Sequence, residues 1–227
     1  MDIIEKLRGK IVVSVQAMPD EPLYKEECMY AMMASVCNGG AGALRVAGAR
    51  DVKNAKSFNI PVIGLTKPNK LPDNWKEVVY ITPTLTEVSE LIDAGADLIA
   101  FDGTLRKRPN GCSLNDIIEK IHSANRLAMA DISTLEEGIA CADMGADIIS
   151  TTLAGYTSES ESQLETPDFE LLSKLVKSIR KPIILEGRIW ETCEVEKAFN
   201  LGAHCVVIGS AITRPQLITK RFVNYNK

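Results

Sequence analysis

Histidine is scarce in this 227-residue chain, which contains only His122 and His204. Neither follows a predicted strand, so the sequence argues against a histidine-centred catalytic triad and against a histidine-rich metal site. General acid–base chemistry would then fall to lysine, aspartate or glutamate side chains.

Basic charge and long apolar runs are also missing. The formal net charge is −4, and the one basic cluster, residues 106–108, is isolated, so nothing indicates a nucleic-acid partner. No apolar run approaches the roughly 20 residues that a membrane span needs, and residues 1–10 are too charged for a signal peptide. We therefore expect no membrane partner.

The six cysteines show no C-x-x-C spacing. Most of them lie in apolar helical or strand patterns, which is typical of reduced core thiols. Reduced thiols indicate a cytoplasmic protein, because disulfides persist mainly in oxidising compartments.

Short apolar runs alternate with helical periodicity along the chain. Eight runs are predicted as strands, at residues 11–15, 43–46, 61–67, 98–101, 127–130, 147–151, 182–185 and 205–208. Between them, Thr84 and Glu87 form a predicted capping box, and Thr166-Pro167 is predicted to open a helix with proline at its first position. A final helix is predicted over residues 211–223.

Residues 78–82 also have strand character, but only residues 68–77 separate them from the third strand. That connection holds two prolines and no helical stripe, whereas a parallel neighbour needs a crossover of about a dozen residues or more. We therefore interpret residues 78–82 as an excursion outside the main sheet.

With the excursion set aside, about eight strand–helix units remain, which predicts a single-domain (β/α)8 TIM barrel over residues 1–227. A weak repeat supports it, because residues 94–97, 144–147 and 201–204 each place a glycine between a helix and the next strand. The alternative is an open doubly wound sheet. The lack of a G-x-G-x-x-G motif after the first strand argues against a dinucleotide-binding version of it.

In a barrel, all strand carboxyl ends share one face. The residues at these ends are Gln16, Arg45, Lys67, Asp102, Asp131, Glu186 and Gly209. Burial and nearby Arg45 would lower the pKa of Lys67 and provide a neutral amine. Glu186 would act on the opposite face of a substrate, as inversion at a carbon requires. Each residue also has a structural explanation, and Asp102 in particular could cap its own loop.

Glycines follow the last two predicted strands at Gly187 and at Gly209-Ser210. Backbone amides in such turns approach anionic oxygens closely, and barrels commonly bind phosphate at this position. The alternative is two tight turns. The combination of both turns with following arginines favours a phosphate site.

The sequence resembles the bacterial N-acetylmannosamine-6-phosphate 2-epimerases. The resemblance is carried by residues 15–23 (VQAMPDEPL), 39–40 (GG), 63–64 (IG) with Lys67, 129–131 (MAD), 151–153 (TTL) with 155–157 (GYT), 186–187 (EG) and 211–215 (AITRP). It implies a TIM barrel that interconverts N-acetylmannosamine 6-phosphate and N-acetylglucosamine 6-phosphate during sialic acid use. It implies no redox or metal cofactor and a homodimeric assembly.

The resemblance also assigns roles. Lys67 matches the family's catalytic lysine and Glu186 its catalytic glutamate. The positions that match substrate-contacting residues are Gln16, Arg45, Asp131 and Arg214. The chain departs from the family pattern at Gly209-Ser210, where two glycines are frequent, at Ala154, where a polar residue is common, and at Gly103, where alanine is common.

Two other functions remain open at this point. Lys67 could form a Schiff base in an aldolase or lyase acting on a phosphorylated sugar. Alternatively, the barrel could bind a phosphosugar without catalysis, although a binding module would not need a lysine and a glutamate facing one carbon.

Overall fold

Eight parallel strands pair in chain order and close into a barrel, with β1 hydrogen-bonded to β8. The computed structural model describes residues 2–161 and 165–224. The strands are β1 Ile11–Val15, β2 Ala43–Ala47, β3 Val62–Leu65, β4 Leu98–Asp102, β5 Leu127–Asp131, β6 Ile148–Ser150, β7 Ile183–Glu186 and β8 Cys205–Ile208. The barrel prediction is confirmed.

Helices connect successive strands and surround the barrel, with one more before β1 and two after β8. They are α1 Ile3–Leu7, α2 Glu26–Asn38, α3 Ala49–Ala55, α4 Leu85–Asp93, α5 Leu114–Ser123, α6 Leu135–Asp143, α7 Phe169–Ser178, α8 Thr192–Asn200, α9 Ser210–Thr213 and α10 Pro215–Val223. Short 3₁₀ turns occur at Lys56–Phe58 and Pro109–Gly111. Within the described ranges, none of the helices combines the length and apolar composition that crossing a bilayer requires.

Side chains alternate along each strand between the barrel interior and the helix layer, because the side-chain period of a strand is two. The interior cluster includes Ala43, Leu65, Met129 and Ile184, all fully buried. The residue two positions after each of these also points inward, one layer nearer the carboxyl ends of the strands. Those four residues are Arg45, Lys67, Asp131 and Glu186. The strand period therefore explains how apolar strands can present charged side chains at one mouth.

Residues 78–82 form no strand, as predicted. Thr82 has a positive φ of 42°, and its hydroxyl donates to the Ala100 carbonyl (2.7 Å) while accepting from the Thr66 amide (3.0 Å). These bonds fasten the excursion between β3 and β4, and Ile81 is buried in the barrel interior.

Two helix predictions need correction, and one helix was missed. Helix α7 begins at Phe169 and not at Pro167, because the Asp168 carboxylate accepts from the Leu171 amide (2.8 Å) and so caps the first turn. The predicted final helix is divided at Arg214, whose backbone is not helical, into α9 and α10. Helix α1, which was not predicted, places the fully buried Leu7 against the interior cluster. Of the polar loop predicted from about 154 to 166, residues 162–164 lie outside the described residues.

The barrel interior should be sensitive to the volume of Ile63, which is fully buried on β3. We expect Ile63→Ala to lower the free energy of unfolding by about 2–5 kcal/mol, because it removes apolar contacts and leaves a cavity. Ile63→Val, the matched control, should cost about 0.5–1.5 kcal/mol. Urea denaturation measures both, and equal losses for the two variants would contradict the packing described.

Candidate active site

A pocket of ≈ 450 Å³ opens at the carboxyl ends of the strands. Its volume suits a small-molecule ligand. The predicted site residues that line it are Gln16, Arg45, Lys67, Glu186, Gly187, Gly209, Ser210 and Arg214. Lys67 and Glu186 therefore face one cavity, as a single reacting carbon between them would require.

Arg45 lies at the centre of the site and is 1% exposed. Its guanidinium forms ion pairs with Asp131 through one terminal nitrogen and with Glu186 through the other. Because β2, β5 and β7 are not neighbours in the barrel, these bonds cross its interior. They fix the carboxylate of Glu186, which is 13% exposed, at the pocket wall.

Thr152, which sequence reasoning did not single out, joins the same two carboxylates. Its hydroxyl lies 2.7 Å from Asp131 Oδ1 and 3.0 Å from Glu186 Oε2, whereas Arg45 contacts Asp131 Oδ2 and Glu186 Oε1. The four side chains therefore form a closed ring of polar contacts. Its position was the one signal in the sequence. Thr152 comes two residues after the buried Ser150 on β6, so the strand period points both side chains to the same side.

Burial shifts the pKa of both the arginine and the aspartate in this ring. Burial by itself would lower the pKa of Arg45, but Asp131 and Glu186 outweigh it and hold that pKa above its usual value. Burial raises the pKa of Asp131 to about 7, although Arg45 opposes the rise. The arginine therefore stays charged, and the carboxyl retains a proton more readily than an exposed aspartate.

Lys67 extends from the end of β3 into the pocket. Lys67 is exposed to solvent, but it lines the pocket, whose walls limit the hydration of its ammonium. This desolvation, with a smaller contribution from Arg45, lowers the pKa of Lys67 to about 8. Within the described part of the chain, its ammonium is in no ion pair. The amine is thus able to lose its proton near neutral pH.

Asp102 does not line the pocket, which corrects the expectation that all the strand-end polar residues converge there. Its carboxylate accepts from the Thr104 amide (2.9 Å) and hydroxyl (2.6 Å) and contacts Arg106 (3.4 Å). The side chain turns into its own loop because those donors satisfy it there. Of its two explanations, the structure supports the loop cap.

Arg214 is held between α9 and α10 by an ion pair with Glu21 (2.7 Å), a residue of the 15–23 motif to which the sequence analysis gave no role. Glu21 also accepts from the Met18 amide (2.7 Å). Nearby, the Gln16 amide donates to the Ser14 hydroxyl (2.8 Å). The loop after β1 and the carboxyl-terminal helices therefore support one side of the pocket together.

The other side of the pocket is built by the loops after β6 and β7. Gly187 has a φ of 111°, which favours glycine. Next to it, Arg188 donates to the Ala154 carbonyl (2.8 Å) and stacks on Tyr156, with its Cζ 4.4 Å from the ring centroid. These contacts join the two loops into one wall beside the Gly187 turn.

The family model described as "Putative N-acetylmannosamine-6-phosphate epimerase" matches residues 29–227. A "Putative N-acetylmannosamine-6-phosphate 2-epimerase" of Clostridium perfringens (strain ATCC 13124) is 47% identical over 226 residues, covering 99% of this chain and 100% of the relative. The protein of that name from Caldanaerobacter subterraneus subsp. tengcongensis is 46% identical over 230 residues, covering 100% and 95%.

A solved structure of the N-acetylmannosamine-6-phosphate 2-epimerase from Clostridium perfringens superposes with a TM-score of 0.93 at 46% identity, covering 99% of this chain and 96% of that one. Thiamine phosphate pyrophosphorylase from Pyrococcus furiosus superposes with a TM-score of 0.63 at 16% identity, covering 96% and 93%. The second likeness is one of fold alone.

The closed barrel and the polar pocket at its carboxyl face define the class of this protein as a (β/α)8-barrel enzyme. The matches extend over nearly the whole chain at almost half identity. The chain belongs to the N-acetylmannosamine-6-phosphate epimerase family.

Removing the central arginine should leave the carboxyl pair of Asp131 and Glu186 without its cationic partner. We expect Arg45→Met to lower the free energy of unfolding at pH 7 by about 3–5 kcal/mol, which is typical of breaking a buried ion pair. Without Arg45, which opposes the rise, the pKa of Asp131 should lie further above its unfolded value, so the loss should shrink as the pH falls through that pKa. Denaturant unfolding at pH 7 and pH 5 measures this difference.

Arg8→Met is the matched control, because the Arg8–Glu5 ion pair is solvent-exposed. It should change stability little at either pH. A loss in Arg45→Met that is no larger than in the control, or that grows on acidification, would contradict the buried ring.

Proposed function

We propose that this protein epimerises N-acetylmannosamine 6-phosphate and N-acetylglucosamine 6-phosphate at C2, in the breakdown of sialic acid. The observation that carries the proposal is the position of Lys67 and Glu186 in one pocket of a chain that belongs to this family. The first residue offers an amine with a lowered pKa, and the second offers a carboxyl group fixed by Arg45.

The chemistry follows from the acidity of C2. In the open-chain sugar, the C2 proton lies next to the C1 aldehyde, so its removal gives an enolate. Return of a proton to the other face inverts the centre. We assign Lys67 to one face and Glu186 to the opposite face, with Glu186 also available to help open the sugar ring.

Other residues would hold the substrate and its developing charge. Gln16, Arg45 and Arg214 line the pocket, and Arg45 and Gln16 would stabilise charge on oxygen. Asp131 matches a substrate-contacting position of the family, but it is fully buried and does not line the pocket. We therefore propose that it acts through Arg45 and Thr152.

The 6-phosphate would bind at the turns after β7 and β8. Gly187, Gly209 and Ser210 line the same pocket as Lys67 and Glu186, and these two strands are where barrels commonly bind phosphate. Binding there would place one end of an open-chain sugar at the turns and its C1–C2 end towards the amine and the carboxylate.

We also propose a cytoplasmic homodimer. All six cysteines are free thiols, which suits a reducing compartment. On α10, Phe222 and Val223 are 73% and 72% exposed, and a second copy of the chain would cover this apolar surface. Sedimentation of the purified protein measures its mass directly, and a monomer would contradict the dimer.

Proton exchange with solvent tests the reaction directly. With N-acetylmannosamine 6-phosphate in heavy water, proton NMR should show formation of the other epimer together with deuterium entry at C2. Lys67→Ala and Glu186→Gln should each slow turnover by about 10²–10⁴-fold, which is the usual contribution of general acid–base catalysis. Inversion without deuterium entry would contradict the mechanism. A borohydride-trapped adduct at Lys67 would indicate a Schiff-base enzyme instead.

The pH dependence of kcat/KM provides a separate test. The reaction from one epimer starts with neutral Lys67 and protonated Glu186. The reaction from the other epimer starts with charged Lys67 and ionised Glu186. Both states of the pair hold one proton, so kcat/KM should have the same pH dependence in both directions. Because the pKa of Lys67 is lowered to about 8, kcat/KM should fall above about pH 8, where neither group can donate. A profile that falls only near the usual lysine pKa of about 10.4 would contradict the assignment.

A further inference from the structure

Thr152 contacts three oxygen atoms with one hydroxyl group. Its Oγ1 lies 2.7 Å from Asp131 Oδ1, 3.0 Å from Glu186 Oε2 and 2.9 Å from the Ser150 hydroxyl. All three distances are within hydrogen-bonding range. A hydroxyl has one proton to donate and two lone pairs that accept, so two of these three neighbours must donate to it.

The Ser150 hydroxyl can supply one of those donated bonds. An ionised carboxylate only accepts hydrogen bonds, so the second bond can come only from a protonated Asp131 or Glu186. If both carboxyl groups were ionised, one of them would face a lone pair of Thr152 Oγ1. The arrangement is therefore satisfied when the two carboxyl groups hold one proton between them.

Arg45 leaves Asp131 Oδ1 and Glu186 Oε2 free to carry the shared proton. Its guanidinium takes Asp131 Oδ2 and Glu186 Oε1, and the two remaining carboxyl oxygens both face Thr152. One arginine also balances only one negative charge. When Lys67 is the neutral base, two ionised carboxylates would therefore leave one charge uncompensated, although Asp131 is fully buried. Burial independently raises the pKa of Asp131.

We propose that Asp131 and Glu186 share one proton and that Thr152 passes it between them. When Glu186 carries the proton, its O–H donates to Thr152 Oγ1 and the Thr152 O–H donates to Asp131. A concerted shift along both bonds moves the Glu186 proton onto Thr152 and the Thr152 proton onto Asp131, so no proton is gained or lost. The reverse shift restores Glu186 as an acid.

This inference makes Thr152 a positioning residue, and its catalytic consequence depends on the proposed function. If Glu186 protonates one face of C2, Asp131 holds the shared proton until Thr152 passes it to Glu186 for that transfer, and the pair then regains a proton from solvent through the pocket. Arg45 and Lys67 are the charged groups that face the Asp131–Glu186 pair. Lys67 serves the other face of C2, and its protons exchange with solvent through the pocket mouth.

The variant Thr152→Val removes the hydroxyl at nearly constant volume, and Thr152→Ser, the matched control, retains it. Both reactions are followed by proton NMR in heavy water, starting from each epimer in turn. For the epimer whose C2 proton Lys67 removes, Thr152→Val should slow inversion by about 10–100-fold, part of the usual general-acid contribution. Exchange at C2 without inversion should continue, so the ratio of exchange to inversion should rise. Thr152→Ser should keep the wild-type ratio.

Two results of this experiment would overturn the proposal. One is an unchanged ratio in Thr152→Val, and the other is a change of equal size in Thr152→Ser, which would assign the effect to packing. Circular dichroism of both variants establishes whether they are folded.

A second measurement does not depend on turnover or on folding of Thr152→Val. The infrared difference spectrum between wild type and Glu186→Gln at neutral pH should contain the C=O band of a protonated carboxylic acid, which shifts in heavy water. In the variant, the amide can donate to Thr152, so the shared proton is no longer needed. Absence of that band would overturn the shared proton. Failure of wild type to exchange C2 would instead contradict the proposed function and leave the infrared result standing.

Discussion

The site depends on one arginine buried between two carboxylates from distant strands. Arg45 on β2 contacts Asp131 on β5 and Glu186 on β7. In an open sheet in chain order, five strand spacings of about 4.8 Å would separate β2 from β7 by roughly 24 Å. Closure of the barrel removes that distance and brings the ends of both strands around one cavity. The ring is therefore a consequence of barrel closure, and an open sheet with these strands in chain order could not form it.

Burial of this ring affects the charge and pKa of the site residues as well as their positions. Removing charges from water is costly unless they are paired, and the carboxylate partners of Arg45 offset that cost. The same guanidinium helps to lower the pKa of Lys67, while Glu186 and Asp131 act to raise it. Desolvation by the pocket walls decides the net direction. The charge that fixes Glu186 in place thus also helps to make Lys67 a usable base.

The barrel and most of the pocket could be predicted from the sequence, for physical reasons. The strand period of two places Arg45, Lys67 and Glu186 inward, and a charge at the end of an apolar run is visible without coordinates. Thr152 could not be found this way, because threonine is ordinary after a strand and its importance comes only from carboxylates on β5 and β7.

Local chemistry explains the other differences. Asp102 obeys the same inward period, but Thr104 and Arg106 supply donors within its own loop and turn it away from the pocket. Asp168 instead of Pro167 determines the start of α7 because its carboxylate reaches a free backbone amide. Both outcomes depend on competition between nearby hydrogen-bond partners, which a pattern of apolar residues does not encode.

The scarcity of histidine has a structural counterpart in this site. An epimerisation needs two groups that exchange protons near neutral pH, and histidine is the side chain whose unperturbed pKa lies there. This chain reaches the same range from both sides, because desolvation by the pocket walls lowers the pKa of Lys67 to about 8 and burial raises the pKa of Asp131 to about 7. An amine and a carboxyl group that usually titrate about six pH units apart become comparable in proton affinity. In such a site, Lys67 can exchange a proton with one face of a carbon, while Asp131 acts on the other face only through Thr152 and Glu186.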